Sequence, residues 1–250
     1  MRNYRFYLSE IKSPTILVKD EALLHRMNNV LRLSKDSKEE IEFFDGLGNV
    51  FEVDLIDISK KEANFKVTSE HLSQRELGVW VKFYVPVIKP ENYYWMIKKL
   101  TELGVSEFQP VFFERSQKKY KESLEKQKEK ILIAIQEALE QCGGAKMPKY
   151  HDIKAFGDLG FDDKSPNNTD IARFFAYEGL SLEKNAKKAQ VIPQLTDTII
   201  MVGPEGGLTI DETGILGDKS FNAVSLGARL LKAETAAISL FTSLGVSFAE

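Results

Sequence analysis

The stretch Thr198-Ile199-Ile200-Met201-Val202-Gly203-Pro204-Glu205-Gly206-Gly207-Leu208 decides how this chain is read. Thr198 to Val202 is a short apolar run, the pattern of a strand buried on both faces of a parallel sheet. Three glycines and a proline then fall within five positions. Strand ends in α/β sheets face a crevice where ligands bind. Glycine lets the backbone approach a ligand closely and take positive φ. Further along, Phe221-Asn222-Ala223-Val224-Ser225-Leu226-Gly227-Ala228-Arg229-Leu230-Leu231-Lys232-Ala233-Glu234-Thr235-Ala236-Ala237 repeats the arrangement: a strand, a glycine, an arginine, then a helix that opens on small residues. Two glycine turns at neighbouring strand ends predict two walls of one pocket.

Neither usual nucleotide fingerprint is present. A phosphate-binding P-loop requires Lys-Ser/Thr after its last glycine, whereas Gly207 precedes Leu208 and Thr209. Gly46 and Gly48 have Phe51 where a dinucleotide pattern has its third glycine. No Ser-His-Asp set or activated cysteine is recognisable, and Cys142 reads as a packed thiol. Arg229 reads either as half of an ion pair with Glu205 or Glu234, or as a cation aimed at an electron-rich atom in the crevice. Ser225, Glu234 and Thr235 offer further donors and acceptors.

Outward from these junctions, residues 77–250 alternate strand and helix, the signature of a parallel α/β sheet. Strands are predicted at Val79–Val87, Phe108–Phe113 and Ile171–Tyr177. A helix is predicted from Pro90 to its glycine stop at Gly104. A long amphipathic helix through Leu124, Ile131, Ile135 and Leu139 stops at Gly143-Gly144, and a last helix runs from Ala233 to Phe248. Residues 157–170 read as a surface loop. Residues 1–72 read as mainly β, with Glu40–Phe44 and Val50–Leu55 flanking a glycine turn, a strand at Ala63–Val67 and one helix from His25 to Leu33. Ser69 to Glu76 reads as a linker.

The chain has 250 residues, 43% hydrophobic and 28% charged, enough for one large or two modest domains. No run reaches the roughly 18 apolar residues of a membrane span, and the N-terminal residues lack the apolar core of a signal peptide. One cysteine excludes an internal disulfide and fits a reducing cytoplasm. Three scattered histidines provide no metal-ligand spacing. Net charge is −3, yet basic residues cluster in 1–35 and 115–130 while 151–250 is acidic. Such clusters are read as nucleic-acid contacts or as solvated helix faces.

Seven motifs in order resemble the RsmE family of bacterial ribosomal-RNA uridine-N3 methyltransferases, within the knotted SPOUT superfamily. They are His25 to Leu33, Phe44-Asp45-Gly46, Lys99-Leu100-Thr101-Glu102-Leu103-Gly104-Val105, Glu114-Arg115-Ser116, Glu140-Gln141-Cys142, Gly203 to Gly207, and Leu226 to Ala236. Two positions depart from the family, Gly144 and Lys232, where arginines are usual. The resemblance implies a PUA-like RNA-binding β-barrel domain over 1–72 and a SPOUT methyltransferase domain over 73–250, an α/β fold with a parallel sheet and a C-terminal trefoil knot. It implies S-adenosylmethionine as cofactor, no metal and no membrane, a cytoplasmic homodimer, and 16S ribosomal RNA of the small subunit as substrate. The implied cofactor contacts are Glu178, Gly179, Val202, Gly203, Pro204, Glu205, Gly206, Gly207, Leu208, Ser225, Leu226, Gly227, Leu230, Leu231 and Thr235. Arg229 is the implied charge-stabilising residue, with Glu205 or Glu234 accepting the proton. RNA contacts fall to Arg2, Arg5, Arg26, Arg32, Lys89, Arg115, Lys146 and Lys232. The alternatives are another SPOUT target atom, such as guanosine N1 or a ribose 2′-oxygen, and a non-catalytic RNA-binding ribosome-assembly factor. For dimerisation the last helix offers Ala233, Ala236, Ala237, Leu240, Phe241 and Leu244, more apolar surface than one sheet face requires.

Overall fold

A computed structural model describes residues 3–35, 39–179 and 196–245. Arg2 and the end of the last predicted helix, at Phe248, lie outside the described residues. The chain divides into two compact units, residues 1–76 with 139–147, and residues 77–138 with 148–250. The excursion of 139–147 is one that a single boundary after residue 72 does not contain.

In the first unit, five strands form one mixed sheet: β1 (Asn3–Tyr7), β2 (Thr15–Val18), β3 (Glu40–Phe44), β4 (Asn49–Ile58) and β5 (Ala63–Leu72), ordered β1-β3-β4-β5-β2. β1 lies parallel to β3 and the other pairings are antiparallel. The short strands β1 and β2 carry only one or two turns of apolar alternation, and sequence reading passed over them. β5 runs to Leu72, so the predicted linker shortens. Helix α1 (Glu21–His25) starts at Asp20, whose carboxylate accepts from Leu23 N–H at 2.7 Å. It continues as a π-helical turn over Arg26–Leu31 that closes on Arg32 at φ 55°. Phe6, Met27, Phe43 and Phe65 are wholly buried in this unit's core.

Residues 139–147 are held to this sheet by charge. Glu140 accepts from Tyr7 N–H at 3.1 Å and from the Arg26 guanidinium. Glu76 accepts from Ala145 N–H at 2.6 Å. Arg5 is a correction to the sequence reading. Its side chain is 7% exposed, pairs with Glu42 at 2.6 Å and donates to the Gly144 carbonyl at 3.1 Å, so it is not available to RNA phosphate. Burial lowers its pKa, and the neighbouring Glu42 carboxylate works against that shift. Removing one partner of a buried pair strands the other charge. Arg5→Ala is therefore expected to cost the protein about 3–5 kcal/mol, read as a lower urea midpoint at unchanged slope.

The second unit carries β6 (Val81–Pro86), β7 (Glu107–Phe112), β8 (Lys149–Tyr150), β9 (Lys154–Ala155), β10 (Ala172–Ala176), β11 (Thr198–Met201) and β12 (Asn222–Val224). All pair in parallel, in the order β12-β10-β11-β6-β7-β8, with β9 also on β7. Helix α2 (Pro90–Glu102) begins on proline and ends before Gly104, at φ 90°. The predicted long helix is broken into α3 (Lys118–Glu125) and α4 (Lys128–Cys142). Gln127 sits at the joint, donating to Ser123 and accepting from the Tyr94 hydroxyl at 2.8 Å. α5 (Ile210–Asp218), unforeseen in the sequence, is fixed by a reciprocal capping box between Thr209 and Glu212.

α6 (Ala233–Ser243) packs on α2, β10 and β11. Ala237 and Leu240 are wholly buried, Phe241 is 1% exposed, and Ala233 and Ala236 are also buried. The apolar surplus expected to drive dimerisation is thus used inside the protomer. At the amino end of β6 and β7, Lys82 bridges Asp163 at 2.7 Å and Glu107 at 2.8 Å, while His151 pairs with Glu107 at 2.7 Å. Burial opposes the charges of Lys82, Glu107 and Asp163, but their mutual hydrogen bonds prevail, raising the lysine pKa and lowering both carboxyl pKa values. This satisfied cluster lies at the opposite strand ends from the glycine junctions.

Candidate active site

The carboxyl ends of β10, β11 and β12 release three loops, Tyr177 to Gly179, Val202 to Thr209 and Ser225 to Lys232. β10 lies between β11 and β12. The two glycine junctions are therefore not adjacent, and the end of β10 contributes a wall between them. Together the loops and the start of α6 enclose a cavity of about 400 Å³, within the usual small-molecule range of roughly 300–1,000 Å³.

Its lining includes Ala176 at the end of β10, Tyr177 and Glu178 from the first loop, Val202 to Gly207 from the second, and Leu226, Gly227 and Arg229 to Lys232 from the third. Ala233 and Ala236 of α6 complete it. The structure thus brings together most of the predicted cofactor contacts. Gly179, Leu208, Ser225 and Thr235 are not among the lining residues. Leu208 is 6% exposed and supports the loop from behind, where a Cβ on Gly203 would meet it at 2.9 Å. Sequence reading missed Ala176, Tyr177, Ala233 and Ala236 as lining. The alanines were read as packing residues, although their i, i+3 spacing places them on one helix face.

The glycines do different work from one another. Gly207 and Gly227 adopt φ 72° and 108°, which other residues rarely tolerate. A Cβ on Gly207 would lie 2.5 Å from the Glu178 carboxylate. At Gly206 the close neighbour is Arg115, whose Cβ and carbonyl oxygen would stand 2.9 and 3.3 Å from an added Cβ. Gly206 lines the cavity as expected, and the side on which a Cβ would stand is occupied by Arg115, a second reason for glycine there. The Arg115 guanidinium in turn donates from one nitrogen to the carbonyls of Gly206 at 3.1 Å and Leu208 at 3.3 Å.

Arg229 is exposed on the cavity wall. Neither predicted ion pair forms among the described residues. Glu205 accepts from Lys89 N–H at 3.2 Å. Glu234 is buried, and its Oε2 has no hydrogen-bond partner among the described residues. Of the remaining predicted RNA contacts, Arg32, Lys89, Lys146 and Lys232 are exposed. Arg26 is half-exposed and paired to Glu140. In the basic stretch 115–130, Lys118, Lys121 and Lys128 face carboxylates, and Lys119, Lys121 and Lys130 lie over aromatic rings. That part behaves as a paired, solvated face.

An RNA methyltransferase domain matches residues 75–245, which covers every wall of the cavity. The chain belongs to the RNA methyltransferase domain family. Among relatives, it is 29% identical to the ribosomal RNA small subunit methyltransferase E of Synechocystis sp., over 86% of this chain and 68% of that protein. It is 27% identical to the Bacillus subtilis protein of the same name, over 90% and 87%. A solved Legionella pneumophila structure, assigned as a methyltransferase and in complex with the bound cofactor SAM, superposes with a TM-score of 0.81 at 25% identity, covering 98% of this chain and 97% of that one. The Neisseria gonorrhoeae ribosomal RNA small subunit methyltransferase E, at 24% identity and a TM-score of 0.80 over 96% of both chains, shares the fold. Both sheets described above lie within the span that these two solved structures share with this chain. No described helix is long and apolar enough to cross a membrane.

Proposed function

We propose that this protein transfers a methyl group from S-adenosylmethionine to N3 of a uridine in 16S ribosomal RNA of the small subunit, in the cytoplasm. The observation that carries this reading is the cavity at three strand ends, with an exposed arginine on its wall that no carboxylate among the described residues pairs. Its chemistry fits the cofactor. Backbone N–H and C=O groups of Val202 to Gly207 and Leu226 can read an adenine edge and ribose, and Leu226, Leu230 and Leu231 provide apolar contact for a ring. When bound, the cofactor supplies an electrophilic methyl group on a sulfonium.

Uracil N3 carries a proton and is a poor nucleophile until that proton leaves. As it leaves, negative charge spreads onto the carbonyl oxygens beside it. The Arg229 guanidinium lines the cavity and is not paired by a carboxylate among the described residues, which supports it as the group that stabilises that charge. Glu205 lines the cavity and Glu234 does not, so position favours Glu205 as the proton acceptor. N3 lies on the Watson–Crick edge, so the target base must be unpaired or flipped out. Arg32, Lys146 and Lys232 are exposed cations that phosphate can reach, Lys89 is exposed but shared with Glu91 at 3.0 Å, and Lys232 lacks the bidentate fork of the usual arginine. The C-terminal knot and the pairing of two chains belong to this reading through the family resemblance.

The test is nucleoside analysis. Small subunits from a strain lacking the gene, incubated with the purified protein and S-adenosylmethionine, are expected to gain N3-methyluridine in 16S RNA. A methyl group on guanosine N1 or on a ribose 2′-oxygen would overturn the assigned atom. No transfer at all would leave an RNA-binding assembly factor as the better description.

A further inference from the structure

We propose that Arg115, backed by Glu212, is a positioning residue that sets the shape of the cofactor cavity, and that it is not an RNA contact. This rests on the reading of the cavity as a cofactor site. Arg115 follows β7 and is absent from the cavity lining, so any effect it has on the ligand is indirect. Three independent contacts tie its segment to the back of the glycine loop. One guanidinium nitrogen donates to two loop carbonyls, those of Gly206 and Leu208. The Arg115 Cβ and carbonyl oxygen occupy the space beside Gly206 that the Cβ of any other residue there would fill. Glu114 N–H donates to Glu212 Oε1 at 2.9 Å, while Glu212 Oε2 accepts from Thr209 N–H at 2.9 Å. The Glu212 carboxylate, 5% exposed, therefore clamps the strand-end segment at 114 to the end of the glycine loop at 209.

The physical consequence is preorganisation. Val202 to Thr209 has no regular secondary structure to hold it. The only short-range bond across its turn is Gly207 N–H to the Pro204 carbonyl at 2.9 Å, among the described residues. Carbonyls oriented by a charged donor are held more firmly than carbonyls facing water. A ligand that reads this backbone binds a loop already in shape, and loses less entropy on binding. Without Arg115 the same loop contacts exist, but the loop must be ordered by the ligand.

Calorimetric titration with S-adenosylmethionine tests this on the full chain. Arg115→Ala is expected to weaken binding by about tenfold or more, the scale of a lost charged hydrogen bond. In methyl transfer, KM for the cofactor should rise while kcat at saturation stays within about threefold. Because one nitrogen serves both carbonyls, Arg115→Lys should recover part of the affinity. Glu212→Gln keeps the side-chain shape but leaves one of its two N–H donors without a carboxylate oxygen, and should shift affinity the same way by less. Affinity of each variant for 16S ribosomal RNA should be unchanged. An Arg115→Ala protein that binds the cofactor as the unaltered protein does, or that loses RNA affinity instead, overturns this inference alone. Absence of cofactor binding by the unaltered protein overturns the cofactor reading, and this inference with it.

Discussion

Arg229→Ala is expected to lower the single-turnover methylation rate by about 10²–10³, the scale found when one donor to a developing oxyanion is removed. Cofactor affinity should change far less, because the reacting sulfur is itself cationic and gains nothing from a nearby guanidinium. The melting temperature should not move. This last point is where the structure sharpens the expectation. An ion pair with Glu205 or Glu234 would have made Arg229 a structural residue, and its loss would have lowered stability together with activity. Glu205 instead accepts from Lys89 N–H, and Arg229 is exposed. Arg229→Lys should rescue only in part, since a point charge cannot reproduce a planar fork. A variant that melts early and regains its full rate once stabilised would remove Arg229 from the mechanism.

Gly206→Val should weaken S-adenosylmethionine binding by roughly tenfold to a hundredfold, which corresponds to about 1–3 kcal/mol of overpacking. The added Cβ meets the Arg115 side chain and its carbonyl oxygen. The Arg115 Cβ and carbonyl oxygen are fixed to its backbone and leave little room to yield, so the loop itself must shift and carry its carbonyls out of place. Gly206→Ala should show the same effect at smaller size. The turn is exposed at Glu205 and Gly206, so global unfolding should be little affected. A folded Gly206→Val protein with unchanged affinity would show that this loop does not form the binding surface.

Much of this protein was determined by its sequence alone. Apolar runs and glycine stops located β3 to β7, β10 to β12, α2 and α6, because strand and helix periodicities are local properties of the chain. The two glycine junctions were legible as pocket walls for the same reason, each following a strand, and the family resemblance added the loop after β10. Partners distant in the chain were not determined in this way. Arg5 and Arg229 are both arginines beside an apolar segment, yet one is buried against Glu42 and the other is exposed on a cavity wall. Only the packing of β1 against β3 and of residues 139–147 onto that sheet separates them. Likewise, the sequence placed the two glycine junctions side by side, and the strand order inserted β10 between them. The apolar face of α6 was evident, but whether α2 or a second chain covers it depends on where α2 lies. Arg115 looked like one more cation in a basic stretch until the fold brought Gly206 and Leu208 against it. Hydrogen bonds and ion pairs depend on separations of about 3–4 Å, and for residues far apart in the chain those separations are set by the tertiary fold.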